Sequence, residues 1–155
     1  MQRWRRSAAI RKNKYNARKV EFQGKEFDSK AEWEFYMLLK NDKTVQDIEL
    51  HPEYTILDKY KVVCGRCDGR GRVYNQKTGN FNKCSLCKGY GQREKQGARY
   101  TADFKVTYVD GHEEIIDVKG GPLSKDFPLR RKLFEIHVGK ELTIAKKTKK
   151  GWEIK

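Results

Sequence analysis

Residues 64–91 read CGRCDGRGRVYNQKTGNFNKCSLCKGYG, and this stretch restricts the fold more than any other part of the chain. It holds all four cysteines and only two aliphatic residues, Val73 and Leu86. So little apolar surface cannot hold twenty-eight residues together by burial, so a cross-link or a metal must do it. The spacing is C-x2-C-x16-C-x2-C, which suits Zn²⁺ held by Cys64, Cys67, Cys84 and Cys87. A redox pair or disulfide couple is the rival. Four thiolates leave no open coordination position, so such a zinc is structural and not catalytic.

Each cysteine pair continues as C-x-x-C-x-G-x-G, with Gly69 and Gly71 after the first and Gly89 and Gly91 after the second. Two knuckles of one shape can face a single tetrahedral ion. The motif resembles the cysteine-rich repeats of DnaJ-type chaperones, over these residues only. Arg66, Arg70, Arg72, Lys83, Lys88 and Arg93 make the region basic, which suits a phosphate backbone or serves solubility. We read 64–91 as a module inserted into a core of residues 15–63 and 92–155, with residues 1–14 a flexible basic arm.

Flanking the insert, the pattern is α/β. A short strand pair is predicted in 19–22 and 25–27 around Gly24. A helix follows from Asp28, capped by Asp28 or Ser29, with Ala31, Phe35, Leu38 and Leu39 on one side. Residues 48–63 and 99–108 read as extended. Asp110-Gly111 makes a hairpin turn and 113–119 returns as a strand. A helix carrying Leu129, Leu133, Phe134 and Ile136, a strand at 141–145 and a last one at 152–154 complete a small core with a mixed sheet.

The returning strand contains IIDVKGG, residues 115–121. Alternate strand residues share a face, so Asp117 and Lys119 point one way while Ile116 and Val118 enter the core. On the preceding strand Asp103 and Lys105 share a face opposite Ala102, Phe104 and Val106. If the hairpin pairs the two strands, Asp103 and Asp117 converge. Paired carboxylates repel unless a cation joins them, and their hard oxygens suit Mg²⁺ or Mn²⁺. Glu32 on the first helix offers a third acid, although Ser29-x-x-Glu32 is also a capping box that needs no catalysis to explain it.

Taken in order, Glu32, Ala102-Asp103 and Asp117-Val118-Lys119 resemble the PD-(D/E)XK nuclease superfamily. The segments KYNARKVEFQGKEFDSKAEWEFY, IELHPEYTI, RYTADFKVTY, IIDVKG and RRKLFEI extend the likeness to small phage and prophage recombination endonucleases, described as Holliday-junction-resolvase-like. Ala102 stands where the superfamily's name-giving Pro would be. The resemblance implies a restriction-endonuclease-like αβββαβ core and hydrolysis of phosphodiesters in branched or recombining DNA. It further implies Mg²⁺ held by Glu32, Asp103, Asp117 and the carbonyl of Val118, with Lys119 beside the scissile phosphate. By the same analogy the protein acts as a homodimer.

Charge agrees with a nucleic-acid partner. Lys and Arg number 35 against 21 acids, a formal charge of +14. The first twenty residues hold eight Lys or Arg and no acid, among them Arg5, Arg6, Arg11 and Lys12. These, with Arg70, Arg72, Arg130, Arg131 and Lys132, are candidates for gripping DNA, or else solvated basic surface. No apolar run is long enough for a membrane span and no secretory signal is evident, so a cytoplasmic protein is expected. There is no P-loop; His51, His112 and His137 lack paired spacing; and Trp4, Trp33 and Trp152 lack the spacing of a base-stacking platform. Two functions compete: a metal-dependent DNA endonuclease, whether junction-directed or sequence-specific like a restriction or homing enzyme, and a non-catalytic zinc-ribbon DNA-binding regulator.

Overall fold

The computed structural model describes residues 19–155. In chain order the elements are β1 (Val20–Phe22), β2 (Lys25–Phe27), α1 (Lys30–Asn41), β3 (Val45–Leu50), β4 (Glu53–Leu57) and β5 (Tyr60–Val63). Then come β6 (Arg72–Asn75), β7 (Asn80–Lys83), β8 (Gln92–Lys95), β9 (Ala98–Thr101), β10 (Phe104–Tyr108) and β11 (Glu113–Lys119). The chain ends with α2 (Phe127–Val138), β12 (Leu142–Thr148) and β13 (Gly151–Ile154). It divides into two compact units. The first comprises residues 19–50, 103–123 and 143–155; the second comprises 51–102 and 124–142.

The first unit is built on a five-stranded mixed sheet in the order β13-β12-β11-β10-β3. β10 is antiparallel to both β3 and β11, with Phe104 opposite Leu50 on one side and Ile116 on the other. The hairpin turn at Asp110-Gly111 forms as the sequence predicts, Gly111 taking a left-handed φ of 84° and donating to the Tyr108 carbonyl at 2.9 Å. Phe104, Val106, Ile116 and Val118 form one face, and α1 covers it with Phe35, Tyr36 and Leu39. Phe27 of the β1–β2 hairpin joins this core and packs on Tyr36 at 5.1 Å. Leu38, expected on the buried side of α1, is instead half exposed; Tyr36 takes the inward position because it follows Phe35 around the helix.

The second unit departs from the sequence reading. Residues 53–63 and 92–101 do not enter the large sheet. They form two successive antiparallel ladders, β4 with β9 and β5 with β8. Most side chains of β5 and β8 face water, consistent with Lys61, Glu94 and Lys95 in them. The ladders approach so closely that a side chain on Gly97 would strike the Leu57 carbonyl oxygen at 2.1 Å. The unit's own core gathers around Phe134 of α2, which meets Tyr54 at 5.1 Å and Tyr100 at 5.2 Å. α2 starts with a proline in its first turn and ends at Gly139 in a left-handed conformation. Only Phe127 and Phe134 are buried on it, and Leu129 and Ile136 are exposed. Among the described residues no helix is long and apolar enough to cross a membrane.

Candidate functional site

Two ligand sets stand out, one in each unit. In the second unit the ladder of β5 and β8 leads into the cysteine segment, where the two knuckles take matching conformations. Asp68 and Lys88 both adopt positive φ near 52°, followed by left-handed Gly69 and Gly71 in one knuckle and Gly89 and Gly91 in the other. The Gly71 amide points at Cys67 Sγ and the Gly91 amide at Cys87 Sγ, each at 3.3 Å. The knuckles also close each other. Cys64 N donates to Gly91 O and Cys84 N to Gly71 O, both at 2.8 Å. A Cβ on Gly71 would lie 2.3 Å from Gly89 O, and one on Gly91 would lie 2.2 Å from Gly69 O, so neither position accepts a side chain.

The four sulfurs are buried, unbridged and within 4.8 Å of one another. Cys64 Sγ stands 3.9 Å from Cys84 Sγ, and Cys67 Sγ 3.6 Å from Cys87 Sγ. A disulfide needs about 2.05 Å, whereas a tetrahedron with Zn–S bonds of about 2.3 Å has edges of about 3.8 Å. The site therefore fits a metal ion such as zinc. Main-chain amides of Cys87 and Leu86 lower the Cys84 thiol to about 7, whereas burial raises the Cys67 thiol to about 11.

The second set lies in the first unit. One residue beyond the Phe104–Ile116 pair, Asp103 meets Asp117, and its amide donates to Ile116 O at 3.2 Å. Asp103 Oδ2 accepts the Val118 amide at 2.5 Å. Asp117 is 3 % exposed and Glu32 is 2 % exposed, which is unusual for acids. Lys119 Nζ stands 2.5 Å from Asp117 Oδ2, an ion pair without hydrogen-bond geometry, and that oxygen receives no hydrogen bond. Burial, then the charge of Asp117 and after it that of Glu32, push the Asp103 carboxyl up from 3.8 to about 8; the Val118 amide and Lys119 oppose the shift.

Glu32 reaches this neighbourhood because the first turn of α1 packs close to the end of β11. A Cβ on Gly120 would sit 3.0 Å from Ala31 Cβ. The capping pattern also forms: Ser29 Oγ accepts the Glu32 amide at 3.2 Å, and Glu32 Oε2 accepts the amide of Asp28 at 2.8 Å. Glu32 thus serves the helix start and the acid cluster together. The three carboxylates do not close to within 4.8 Å of one another; among the described residues only the cysteines form so tight a set.

The basic candidates differ in how far they are engaged. Arg130 lies over the Tyr100 ring at 5.2 Å, and Arg131 Nε donates to Glu135 Oε1 at 2.8 Å, so packing and an ion pair already use two cations of α2. Lys132 is exposed. Arg70 Nε donates to the Cys67 carbonyl at 3.2 Å, while Arg72 is exposed on β6. Arg5, Arg6, Arg11 and Lys12 lie outside the described residues. Sequence reasoning missed Tyr74 and Phe81 in the cysteine module. Their only signal is alternation within two very short strands.

The fold and the two side-chain clusters define a mixed α/β protein with a buried carboxylate cluster and four close, buried cysteines that could hold a metal ion. The chain belongs to the family described as "Protein of unknown function (DUF1064)", whose model matches residues 12–153. No curated protein and no solved structure matches it.

Proposed function

We propose that the protein is a metal-dependent endodeoxyribonuclease that hydrolyses phosphodiesters in branched DNA, with a structural zinc in its cysteine module. The observation that carries this reading is the charge crowded onto Asp103. Burial first, and then the charges of Asp117 and Glu32, raise its carboxyl to about 8 against the Val118 amide and Lys119, an arrangement that a divalent ion would relieve. The donors are hard oxygens that suit such a cation, and the buried Asp117 Oδ2 receives no hydrogen bond although it is ion-paired with Lys119. Asp103, Asp117, the Val118 carbonyl and Glu32 would hold Mg²⁺ or Mn²⁺. A cation bound there supplies Lewis acidity toward a phosphoryl oxygen and makes water a better nucleophile.

The chain's own groups have separate tasks in this reading. Lys119 offsets negative charge that develops on the phosphoryl oxygens and orients the attacking water. The Val118 amide holds Asp103 in place through Oδ2. Further support comes from α1, β3, β10 and β11 of the first unit, a helix followed by three strands in the chain order of the nuclease core the sequence resembles. The formal charge of +14 suits DNA, and the unbridged cysteines suit a reducing, cytoplasmic setting. A homodimer follows from the need to cut two strands symmetrically.

The second reading is a zinc-ribbon DNA-binding protein without catalysis. It draws on the cysteines being a tighter ligand set than the carboxylates. The deciding measurement is cutting of a labelled four-way junction and its matched duplex arms, with and without Mg²⁺, by wild type and Asp117→Asn. Mg²⁺-dependent cutting of the junction, abolished by Asp117→Asn, is expected. Equal cutting of duplex arms would point to a sequence-directed nuclease, and binding without cutting in either protein would leave only the zinc-ribbon reading.

A further inference from the structure

The hairpin of β6 and β7 presents two unlike faces. Its register pairs Arg72 with Lys83, Val73 with Asn82, and Tyr74 with Phe81. Val73 packs against the four cysteines, so its face of the hairpin turns toward the metal ligands. Strand alternation then sends Arg72, Lys83, Tyr74 and Phe81 to the other face. Tyr74 is 53 % exposed and Phe81 62 %, and their ring centroids are 5.4 Å apart. An open groove of about 750 Å³ runs along the hairpin and is lined by these four residues together with residues of the other face, Val73 and Cys67 among them.

The two pairs differ: rings opposite each other on a ladder stabilise it, but the cation pair has no such explanation. Like charges directly opposite each other on a ladder are unfavourable, and no acid of the described residues pairs with Arg72 or Lys83. Asp68 is the only acid in residues 64–91, which carry six Lys or Arg. A zinc tetrathiolate would contribute two negative charges, so three positive charges remain in excess. The two rings, tilted by 59°, turn apolar faces to water beside these cations.

We infer that this face of the cysteine module binds unpaired nucleotides of single-stranded DNA, with Tyr74 and Phe81 stacking on bases and Arg72 and Lys83 holding the backbone. Cations flanking solvent-exposed rings are the general requirement for single-strand binding. The cation pair and the ring pair are two residues apart along the strand, about 7 Å, which spans a base and its own phosphate. In a duplex the bases are stacked on each other and offer no free face to these rings, so the rings favour a strand whose bases are unpaired. The inference rests on DNA as the partner proposed above, but not on cleavage. A branched substrate supplies unpaired nucleotides at its crossover, which would give the module a part in recognising the branch.

The test uses the full-length, zinc-loaded protein without Mg²⁺. Anisotropy is read on a labelled oligothymidylate, a blunt duplex of the same length and an oligouridylate. Tyr74→Leu/Phe81→Leu keeps apolar bulk and removes the aromatic faces; Tyr74→Trp/Phe81→Trp restores them. Zinc content is measured for each. The Leu pair is expected to weaken oligothymidylate binding about tenfold or more and duplex binding less than about twofold, with the Trp pair near wild type. Equal losses on both DNAs, no loss on either, or tighter binding of oligouridylate would overturn the inference. Should the Leu pair lose zinc, the Trp pair decides: oligothymidylate binding at or above the wild-type level supports stacking, and a loss overturns it. Junction cutting by wild type is scored in parallel. Ring-dependent binding without cutting removes the nuclease reading alone, and cutting with ring-independent binding removes this one alone.

Discussion

Asp103 is the residue at which folding and pH meet. Its carboxyl is raised to about 8 by burial and by the neighbouring acids. The folded chain therefore keeps a proton that the unfolded chain releases near its ordinary value of 3.8. Stability of the metal-free protein is then fullest below that ordinary value and falls as pH rises toward about 8, at no more than about 1.4 kcal/mol per pH unit. Asp103→Asn removes the charge and can still accept the Val118 amide. Denaturant melts between pH 5 and about 9 should show the metal-free variant losing its pH dependence and becoming the more stable protein at the alkaline end. An unchanged slope would mean that neither burial nor the neighbouring acids raise the Asp103 carboxyl. The placing of the strand residues of this cluster was legible in advance, because alternation puts Asp117 with Lys119 and the Asp110-Gly111 hairpin brings Asp103 across from them.

At the scale of the element, α1 shows why one residue could not be assigned from sequence. Glu32 sits where a capping box wants it and also where the acid cluster wants it. Two substitutions separate the roles. Ser29→Ala removes the acceptor for the Glu32 amide and should lower stability by about 1 kcal/mol while sparing cleavage. Glu32→Gln keeps an oxygen for the Asp28 amide but loses the charge, so the melt should change little while Mg²⁺-dependent cutting falls by at least about tenfold. If Glu32→Gln cuts normally, the residue is a cap and nothing more. The exposures of Leu38, Leu129 and Ile136 were not legible, since helical spacing marks a face without saying whether anything covers it. Tyr74 opposite Phe81 was equally hidden, because strand alternation names a face but only register names the neighbour.

At the scale of the whole molecule, a metal held by the cysteines would act on one unit. Each knuckle of the cysteine module is closed by the other's carbonyl, so zinc loss should open both together. After extraction of zinc with a strong chelator and a thiol-reactive mercurial, hydrogen exchange should accelerate at the amides of Cys64, Gly71, Cys84 and Gly91. The amides of Asp103 and Tyr108 should keep most of their protection, being held by β11 and by the hairpin turn. Uniform loss across both sets would mean the zinc supports the entire chain. The sequence reading had the composition break at 64–91 but not how far outward the excursion begins. The ladders on either side carry ordinary strand residues, and nothing local distinguishes a strand of the sheet from a strand of a stalk. Ala102 N donates to Pro52 O at 3.1 Å where the excursion starts, and one step earlier Leu50 already faces Phe104 across the sheet. In engineering terms the chain contains a cassette. Splicing residue 50 to residue 103 through a short turn would convert β3 and β10 into an ordinary hairpin, and the carboxylates would remain on a chain about one-third shorter, with α2 left to find new cover for Phe134.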